Sequence, residues 1–402
     1  VKLEVRDSDV ILGVRPGAAY APATVDECAE VMGLAAREGL RLGFVGGGSE
    51  LGLGAAPAAL DAVVRTERLG RIVEHVPADM VVVAEAGCTL AALQAAVGAH
   101  GQRLALDAPS PERATIGGLV ATGGFGPLRA RYGGVRDLII GVTLVRADGE
   151  VARGGGKVVK NVAGFDLPKV ACGSLGTLGM IAAAAFRLHP LPELTRTVVS
   201  RGITAEAVVA VVAAARAAQL EPASAVALTS AVAGKVDLGW RFEGFGRGVE
   251  QQVARMVELA GSAAAPAELL DDAAAAAFWR RHDAVRSAGP LRVRLAGLPT
   301  RFPAIAALVA GLGDVAWYAT LGVGVVGGAV ADLARASAAV IAARAELVAG
   351  GGSLVIEAAP AELRRAIDPW GPRPPGFAIM ERLKRRFDPD GRLNPGRFVG
   401  GL

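Results

Sequence analysis

The residues most suggestive of chemistry are glycines. Gly46-Gly47-Gly48-Ser49-Glu50-Leu51-Gly52 follows a short apolar run, Leu42 to Val45. Glycine leaves no Cβ to hold a phosphate away from backbone N–H groups, so such a loop can cradle a pyrophosphate without a cationic side chain. A tight turn asks for glycine as well, and this loop alone leaves both readings open. A second cluster is Thr115-Ile116-Gly117-Gly118 followed by Ala121-Thr122-Gly123-Gly124-Phe125-Gly126. A third is Lys160-Asn161-Val162-Ala163-Gly164-Phe165-Asp166, then Gly173-Ser174-Leu175-Gly176-Thr177-Leu178-Gly179-Met180-Ile181. Structural turns account for any one of these loops more easily than for all three. Together they point to a long cofactor gripped at several places. FAD, with a pyrophosphate in the middle and large rings at each end, is such a molecule.

Other suggestive residues carry less. A literal G-x-G-x-x-G stands at Gly322, Gly324 and Gly327, between a strand-like and a helical run, with Glu346 downstream. Glu346 falls inside a helical run rather than at a strand end, and too little chain follows for the paired halves of a dinucleotide fold. Gly154-Gly155-Gly156-Lys157 has Val158 where a phosphate loop needs Ser or Thr for magnesium. His75, His100, His189 and His282 form no HxH or HxxxH pair, and Cys28, Cys88 and Cys172 form no CxxC pair. Neither a metal nor an iron–sulfur site is expected, and the cysteines read as buried free thiols. Arg129, Arg131 and Arg136 read as solvated loop arginines, with guidance of an anion as the alternative. Arg292 and Arg294 fall on one face of a strand. They are the candidate substrate residues, able to hold a carboxylate bidentately, against the alternative of an ordinary polar sheet face. Trp279-Arg280-Arg281-His282-Asp283 reads as an exposed helix and Lys384-Arg385-Arg386 as a solvated helix end. No residue is assigned as catalytic.

These residues need a scaffold. Thr24 to Glu27 forms a capping box opening a helix that stops at Gly39. Leu42 to Val45 and Val81 to Glu85 read as strands, Gly87-Cys88-Thr89 opens a helix ending near His100-Gly101, and Asp148-Gly149 joins two strands. After Pro190 and Pro192 the texture changes. Thr195 to Ala260 reads strand, helix, strand, strand, helix; Leu291 to Ala358 reads strand, helix, strand, helix, strand. This is a second, α+β domain with a loose, ferredoxin-like internal repeat. Asp368 to Pro375 reads as a linker, followed by a last helix, about Phe377 to Arg386, and a Pro/Gly-rich tail.

The bulk properties agree. A chain of 402 residues suggests two domains, and 52% hydrophobic residues with mean hydropathy +0.41 supply two cores. A net charge of +4 is too small for a nucleic-acid binder and supports at most a mild preference for anions. Charges at Lys2, Glu4, Arg6 and Asp7 with no apolar run behind them argue against a signal peptide. The uncharged stretch Val315 to Ala331, as long as any in the chain, is broken by glycines, falls short of a spanning helix and reads as buried sheet. Membrane contact is expected to be peripheral at most.

The order of the glycine loops resembles the PCMH-type FAD domain of the vanillyl-alcohol oxidase superfamily. The stretch Pro109 to Pro192 is similar to the FAD-binding (E) subunits of bacterial glycolate oxidases. The telling pieces are Ala114-Thr115-Ile116-Gly117-Gly118, Gly126-Pro127-Leu128-Arg129, Tyr132-Gly133-Gly134-Val135-Arg136-Asp137, Lys160 to Asp166 and Leu188-His189-Pro190-Leu191-Pro192. The tail Phe387-Asp388-Pro389-Asp390-Gly391-Arg392-Leu393-Asn394-Pro395-Gly396-Arg397 is similar as well. The match covers the first half and the tail, and the middle by its pattern alone.

The resemblance implies an α+β fold: a two-part FAD-binding domain over residues 1–192, an α+β cap over 193–375, and a C-terminal helix and tail, 376–402, packing back on the FAD domain. It implies that Gly46, Gly47, Gly48 and Ser49 hold the pyrophosphate. Thr115, Gly117, Gly118, Thr122 and Gly123 would line the flavin and its ribityl chain. Gly176, Gly179 and Ile181 would approach the cofactor through backbone contacts, Asn394 would sit near the isoalloxazine, and Glu50 and Pro109 would also belong to the site. Many relatives attach the flavin through a histidine in the first loop; with Ser49 and Glu50 there instead, non-covalent FAD is expected. The implied function is the FAD-binding subunit of a glycolate oxidase (glycolate dehydrogenase) type complex that oxidises 2-hydroxy acids to 2-oxo acids. Its partners would be a larger FAD-containing catalytic subunit and an iron–sulfur subunit, in the cytoplasm or at the inner face of the membrane through the complex. Two alternatives stay open: a self-sufficient FAD-dependent 2-hydroxy-acid or D-lactate dehydrogenase, and a non-catalytic assembly subunit whose FAD is structural.

Overall fold

The computed structural model describes residues 2–157, 164–287 and 289–402. The architecture is α+β in two compact units: Val1–Gly126, Gly133–Leu191 and Pro372–Leu402 form one, and Pro127–Tyr132 with Pro192–Gly371 form the other. Of the stretch Lys160 to Asp166, residues 160–163 lie outside the described residues, as does Val158.

In the first unit a four-stranded sheet runs in the order Lys2–Leu3, Ala18–Tyr20, Ala62–Arg65, Leu42–Val45. The last two are parallel neighbours. The helix Val25–Glu38 precedes Leu42–Val45. Thr24 Oγ1 accepts from the Glu27 N–H, the Glu27 carboxylate accepts from the Ala23 N–H, and Gly39 at φ 67° ends the helix. Cys28, Val31, Met32 and Ala35 recur at helical spacing and bury one face. That face packs with Leu42, Ala62 and Val64, which fixes where Leu42–Val45 opens into the first glycine loop.

The second sheet of this unit is antiparallel, in the order Ile72–Val76, Val81–Glu85, Met180–Arg187, Ile139–Val145, Val151–Gly155. Gly149, at φ 91°, turns the hairpin between the last two strands. The helices Leu90–Gly98 and Ile116–Thr122 pack in its core through Leu90, Leu93, Val97, Ile116, Leu119 and Val120. Met180–Arg187 runs through the middle of the sheet and is preceded directly by the third glycine loop.

The C-terminal helix Phe377–Phe387 and the tail belong to the first unit. The expectation of a solvated Lys384-Arg385-Arg386 end fails at Lys384, which is 7% exposed. Its ammonium donates to the Thr177 and Leu393 carbonyls, each at 2.9 Å, and to the Asp388 carboxylate at 2.7 Å. Burial pushes the Lys384 pKa down and Asp388 opposes the shift. Asp388 also accepts from the Arg392 and Leu393 N–H groups. The chain is thereby turned back so that the Leu42 N–H donates to the Arg392 carbonyl and the Asn394 N–H to the Leu42 carbonyl.

The second unit holds an antiparallel eight-stranded sheet in the order Ala267–Leu269, Leu194–Ile203, Val236–Gly244, Ser224–Thr229, Asp314–Tyr318, Val323–Gly328, Leu291–Ala296, Ser353–Ala358. The stretch Val315 to Ala331 holds two strands where the sequence suggested one. Asp314–Tyr318 and Val323–Gly328 pair antiparallel across Leu321-Gly322. Gly322 there has φ +68°, and a Cβ on it would lie 2.1 Å from the Gly297 carbonyl oxygen; the G-x-G-x-x-G run is a hairpin, not a nucleotide loop. Residues 127–132, which the sequence groups with the first domain, belong to this unit. Arg131 donates to the Glu221 and Glu243 carbonyls, and the Tyr132 hydroxyl to the Glu243 carboxylate.

The helix Asp272–Ser287 also departs from expectation. His282 is buried rather than exposed. It faces Tyr318 on the sheet, with Nε2 at 3.3 Å from the hydroxyl, while Nδ1 lies 2.9 Å from Asp283 Oδ1. Burial pushes its pKa down to about 4, against the Asp283 hydrogen bond and with the added charge of Arg286. Phe278, Trp279, His282 and Arg286 are the buried residues of this helix. Neighbouring charges on its other face mask that stripe in the sequence.

Candidate functional site

All three glycine loops meet within the first unit, around one cleft that holds about 820 Å³ of empty space including its solvent-open part. Gly46, Gly47, Gly48, Ser49 and Glu50 line it, with Thr115, Gly117, Gly118 and Thr122, and with Gly176, Gly179, Ile181 and Asn394.

The first loop gains its shape from its neighbours. A Cβ on Gly47 would lie 1.7 Å from the Arg113 carbonyl oxygen, and one on Gly46 would lie 2.4 Å from Thr115 Oγ1. These two glycines let the second loop approach, a packing reason for glycine in addition to the one read from the sequence. Positive φ falls at Gly48, +74°. Among the described residues, the N–H groups of Gly46, Gly47, Gly48 and Ser49 donate to no protein acceptor. They are donors beside an open cleft, the requirement for anion binding by backbone. Arg397 braces the far side of the loop by donating to the Leu51 and Leu53 carbonyls.

The second loop is the helix Ile116–Thr122, capped by Thr115, whose Oγ1 accepts from the Gly118 N–H. The Ile116 and Gly117 N–H groups donate to the Cys88 and Ala86 carbonyls. A Cβ on Gly117 would meet the Ala86 Cβ at 2.7 Å, so that glycine seats the helix on its neighbour. Thr122 Oγ1 donates to the Gly118 carbonyl. Gly123 does not line the cleft. It is the left-handed C-cap of this helix, φ 62°, where glycine is favoured for conformational reasons. Pro109 does not line the cleft either.

The third loop is tied to the second: the Gly173 and Leu175 N–H groups donate to the Val120 and Ala121 carbonyls. Leu175 and Gly176 both take positive φ, 51° and 71°. Asn394, 2% exposed, bonds the Leu175 carbonyl through Nδ2 at 2.6 Å, and its Oδ1 has no partner. Thr66 Oγ1 is a second buried oxygen of the cleft lining without a partner. Orphaned buried polar atoms cost stability unless something pairs them. The unsatisfied N–H groups at one part of the cleft and the orphaned oxygens elsewhere fit a long ligand with an anionic centre and polar ring systems, as FAD has.

The cleft also includes residues that the sequence did not single out. Phe44 lies on the strand entering the first loop, and Thr66 follows the parallel neighbour of that strand, its N–H on the Val45 carbonyl. A polar residue closing an apolar strand is the signal at Thr66. Leu51, Ala114, Leu175, Met180 and Arg397 complete much of the wall.

Arg292 and Arg294 belong to the second unit and take no part in this cleft. Both face Glu357, with Nε–carboxylate distances of 3.1 and 3.6 Å. A substrate carboxylate there would compete with a built-in one. Cys28 and Cys88 are buried and Cys172 is half-buried; burial, with the charges of Glu27 and Glu85, pushes the Cys28 thiol up to about 12. Among the described residues no three His, Cys, Asp or Glu side chains gather as a metal-holding group, and no helix is long and apolar enough to cross a membrane.

Residues 16–155 match the family model described as FAD binding domain. Among curated proteins, the chain is 39% identical over 123 residues to the glycolate oxidase subunit GlcE of Escherichia coli, covering 30% of this chain and 35% of that protein. It is 34% identical over 170 residues to a D-lactate dehydrogenase of Archaeoglobus fulgidus, covering 42% of this chain and 38% of the other. The matches thus span little more than a third of these relatives. The fold is similar to that of p-cresol methylhydroxylase, with TM-score 0.74 and 16% identity over 96% of this chain and 89% of the other. It is likewise similar to alkyldihydroxyacetonephosphate synthase, with TM-score 0.71 and 16% identity over 95% of this chain and 76% of the other. The chain therefore carries an FAD binding domain, set in the α+β fold of these solved structures.

Proposed function

We propose that this chain is the FAD-binding subunit of a glycolate oxidase type complex that oxidises 2-hydroxy acids to 2-oxo acids. The observation that carries the reading is the convergence of the three glycine loops and Asn394 on one cleft of the first unit, the unit that contains the residues 16–155 matched by the FAD binding domain model. Similarity to a glycolate oxidase subunit supports the class of complex. Bound FAD supplies a two-electron acceptor for hydride. The chain's own part is to hold it: free N–H groups at Gly46 to Ser49 face the pyrophosphate, Thr115, Gly117, Gly118 and Thr122 line the ribityl and ring region, and Asn394 Oδ1 meets a ring donor. With Ser49 and Glu50 in the first loop, attachment is non-covalent. Purified protein is expected to be yellow and to release free FAD on acid precipitation. Colourless protein that takes up no added FAD would sink the reading, and flavin retained in the precipitate would refute the non-covalent part.

In this reading the substrate is oxidised on a larger FAD-containing partner, with an iron–sulfur subunit taking the electrons onward. The second unit has one histidine, His282, and it is buried with its pKa pushed down to about 4. Arg292 and Arg294, the candidate carboxylate holders, already share Glu357. Similarity to a D-lactate dehydrogenase favours the other reading, a self-sufficient 2-hydroxy-acid dehydrogenase. An anaerobic mixture of the FAD-loaded chain with excess glycolate or D-lactate separates the two. Slow or absent bleaching of the flavin is expected; bleaching fast enough for turnover would move the active site into this chain. Co-purification of a tagged chain from its host identifies the partners.

A further inference from the structure

We infer that Arg113 is a cationic clamp on the diphosphate held by the first glycine loop, and so decides that the site takes a dinucleotide rather than a bare flavin. The inference rests on the FAD reading of the cleft but concerns a residue outside the glycine pattern. A turn places Arg113: Ser110 takes φ 56°, and its carbonyl accepts from the Arg113 and Ala114 N–H groups. The Arg113 carbonyl then fills the space beside Gly47 that a Cβ would need. The side chain bends over the loop, with Nε 3.3 Å from the Gly47 carbonyl and Nη2 3.4 Å from the Cβ position of Gly48.

Arg113 is exposed, and among the described residues it forms no ion pair. A guanidinium has five N–H donors, and the Nε contact engages one. Nη2 lies over Gly48, one of the residues whose N–H groups are free, and those N–H dipoles present the same sign as the guanidinium. An anion with several oxygens can accept from the loop backbone and from the guanidinium at once. Glu50 lines the same cleft. A diphosphate in the loop meets that carboxylate too, and the guanidinium offsets its charge.

The test compares apo-protein of the parent, Arg113→Gln and Arg113→Lys for binding of FAD, ADP, riboflavin and inorganic pyrophosphate. Arg113→Gln is expected to weaken FAD, ADP and pyrophosphate by about tenfold or more, the worth of one charge-assisted hydrogen bond. Riboflavin, which has no phosphate, is expected to bind the parent and Arg113→Gln alike. Arg113→Lys keeps the charge without the fork and should fall between. Unchanged FAD and pyrophosphate affinity in Arg113→Gln would overturn the inference. So would a loss for riboflavin in the same proportion as for FAD, which would report general damage to the cleft. A parent that binds pyrophosphate through Arg113 but takes up neither FAD nor riboflavin would refute the flavin reading and leave the anion clamp standing.

Discussion

Asn394 Nδ2 donates to the carbonyl of Leu175 at 2.6 Å and thereby joins the C-terminal tail to the third glycine loop, which the chain left more than half its length earlier. Both residues hold left-handed backbone, φ 44° and 51°, so each end of the bond is conformationally costly. Asparagine tolerates that region better than most residues because its short polar side chain bonds locally.

Asn394→Ala removes the bond, the Oδ1 in the cleft and the residue type suited to φ 44°. We expect about 1–3 kcal/mol of destabilisation from the stranded Leu175 carbonyl, read from urea unfolding, together with weaker FAD binding. Asn394→Gly relieves the backbone and should recover part of the stability without recovering flavin affinity. Full flavin affinity in both variants would remove Asn394 from the site.

Gly47→Ala places a methyl group where the Arg113 carbonyl oxygen already stands. Because the obstacle is backbone, the loops must separate, at about 1–3 kcal/mol, and flavin retention should fall with stability. Gly70→Ala, in the same unit, has nothing within 4 Å of the new Cβ and is the control. Equal thermal midpoints for the two variants would contradict the loop packing described above.

His282 makes the second unit acid-sensitive in a defined window. Its folded pKa is lowered from 6.5 to about 4. As pH falls through 6.5, the unfolded chain takes up a proton that the folded one refuses until about 4, so the unfolded state binds more protons and stability declines across that interval. The loss amounts to about 3 kcal/mol and levels off below the lower value. His282→Gln should be less stable at neutral pH and nearly flat between pH 6.5 and 4. The fluorescence of Trp279, whose ring centroid is 5.9 Å from that of His282, follows the transition. Parallel acid limbs for the variant and the parent would assign the acid loss to other groups.

Lys384→Met leaves the Asp388 carboxylate without its ammonium in a site where both are buried. Removing one partner of a buried pair costs about 3–5 kcal/mol. Lys384→Met combined with Asp388→Asn should recover part of the loss. Denaturant unfolding of the three proteins measures the coupling, and a single variant as stable as the parent would show the ammonium to be dispensable.

Much of the local structure is legible in residue order because it rests on neighbours in the chain. Thr24, Glu27 and Gly39 announce a helix through bonds that reach no further than four residues, and Asp148-Gly149 announces its hairpin in the same way. The glycine loops are legible for a related reason: bare backbone is visible one residue at a time. Their roles are less so. Gly46 and Gly47 need the lack of a Cβ because of Thr115 and Arg113, and Gly117 because of Ala86; these contacts exist only when separate segments pack.

The same limit explains the failures. His282 and Lys384 stand among charges that look solvated, yet each is the buried member of its helix turn, and burial belongs to whatever the other elements place against that face. The pairing of Arg292 and Arg294 with Glu357 depends on strand neighbours far apart in the chain. The sequence by itself determined most of the order of elements, the three loops of bare backbone and the residue types able to bind a phosphate-containing cofactor, since these follow from local conformation and composition. Tertiary structure alone decided that the loops share one cleft, that Asn394 and Arg397 return to it, and that Arg113 lies over the first loop, because those relations arise from packing and hydrogen bonds between segments that the chain order does not bring together.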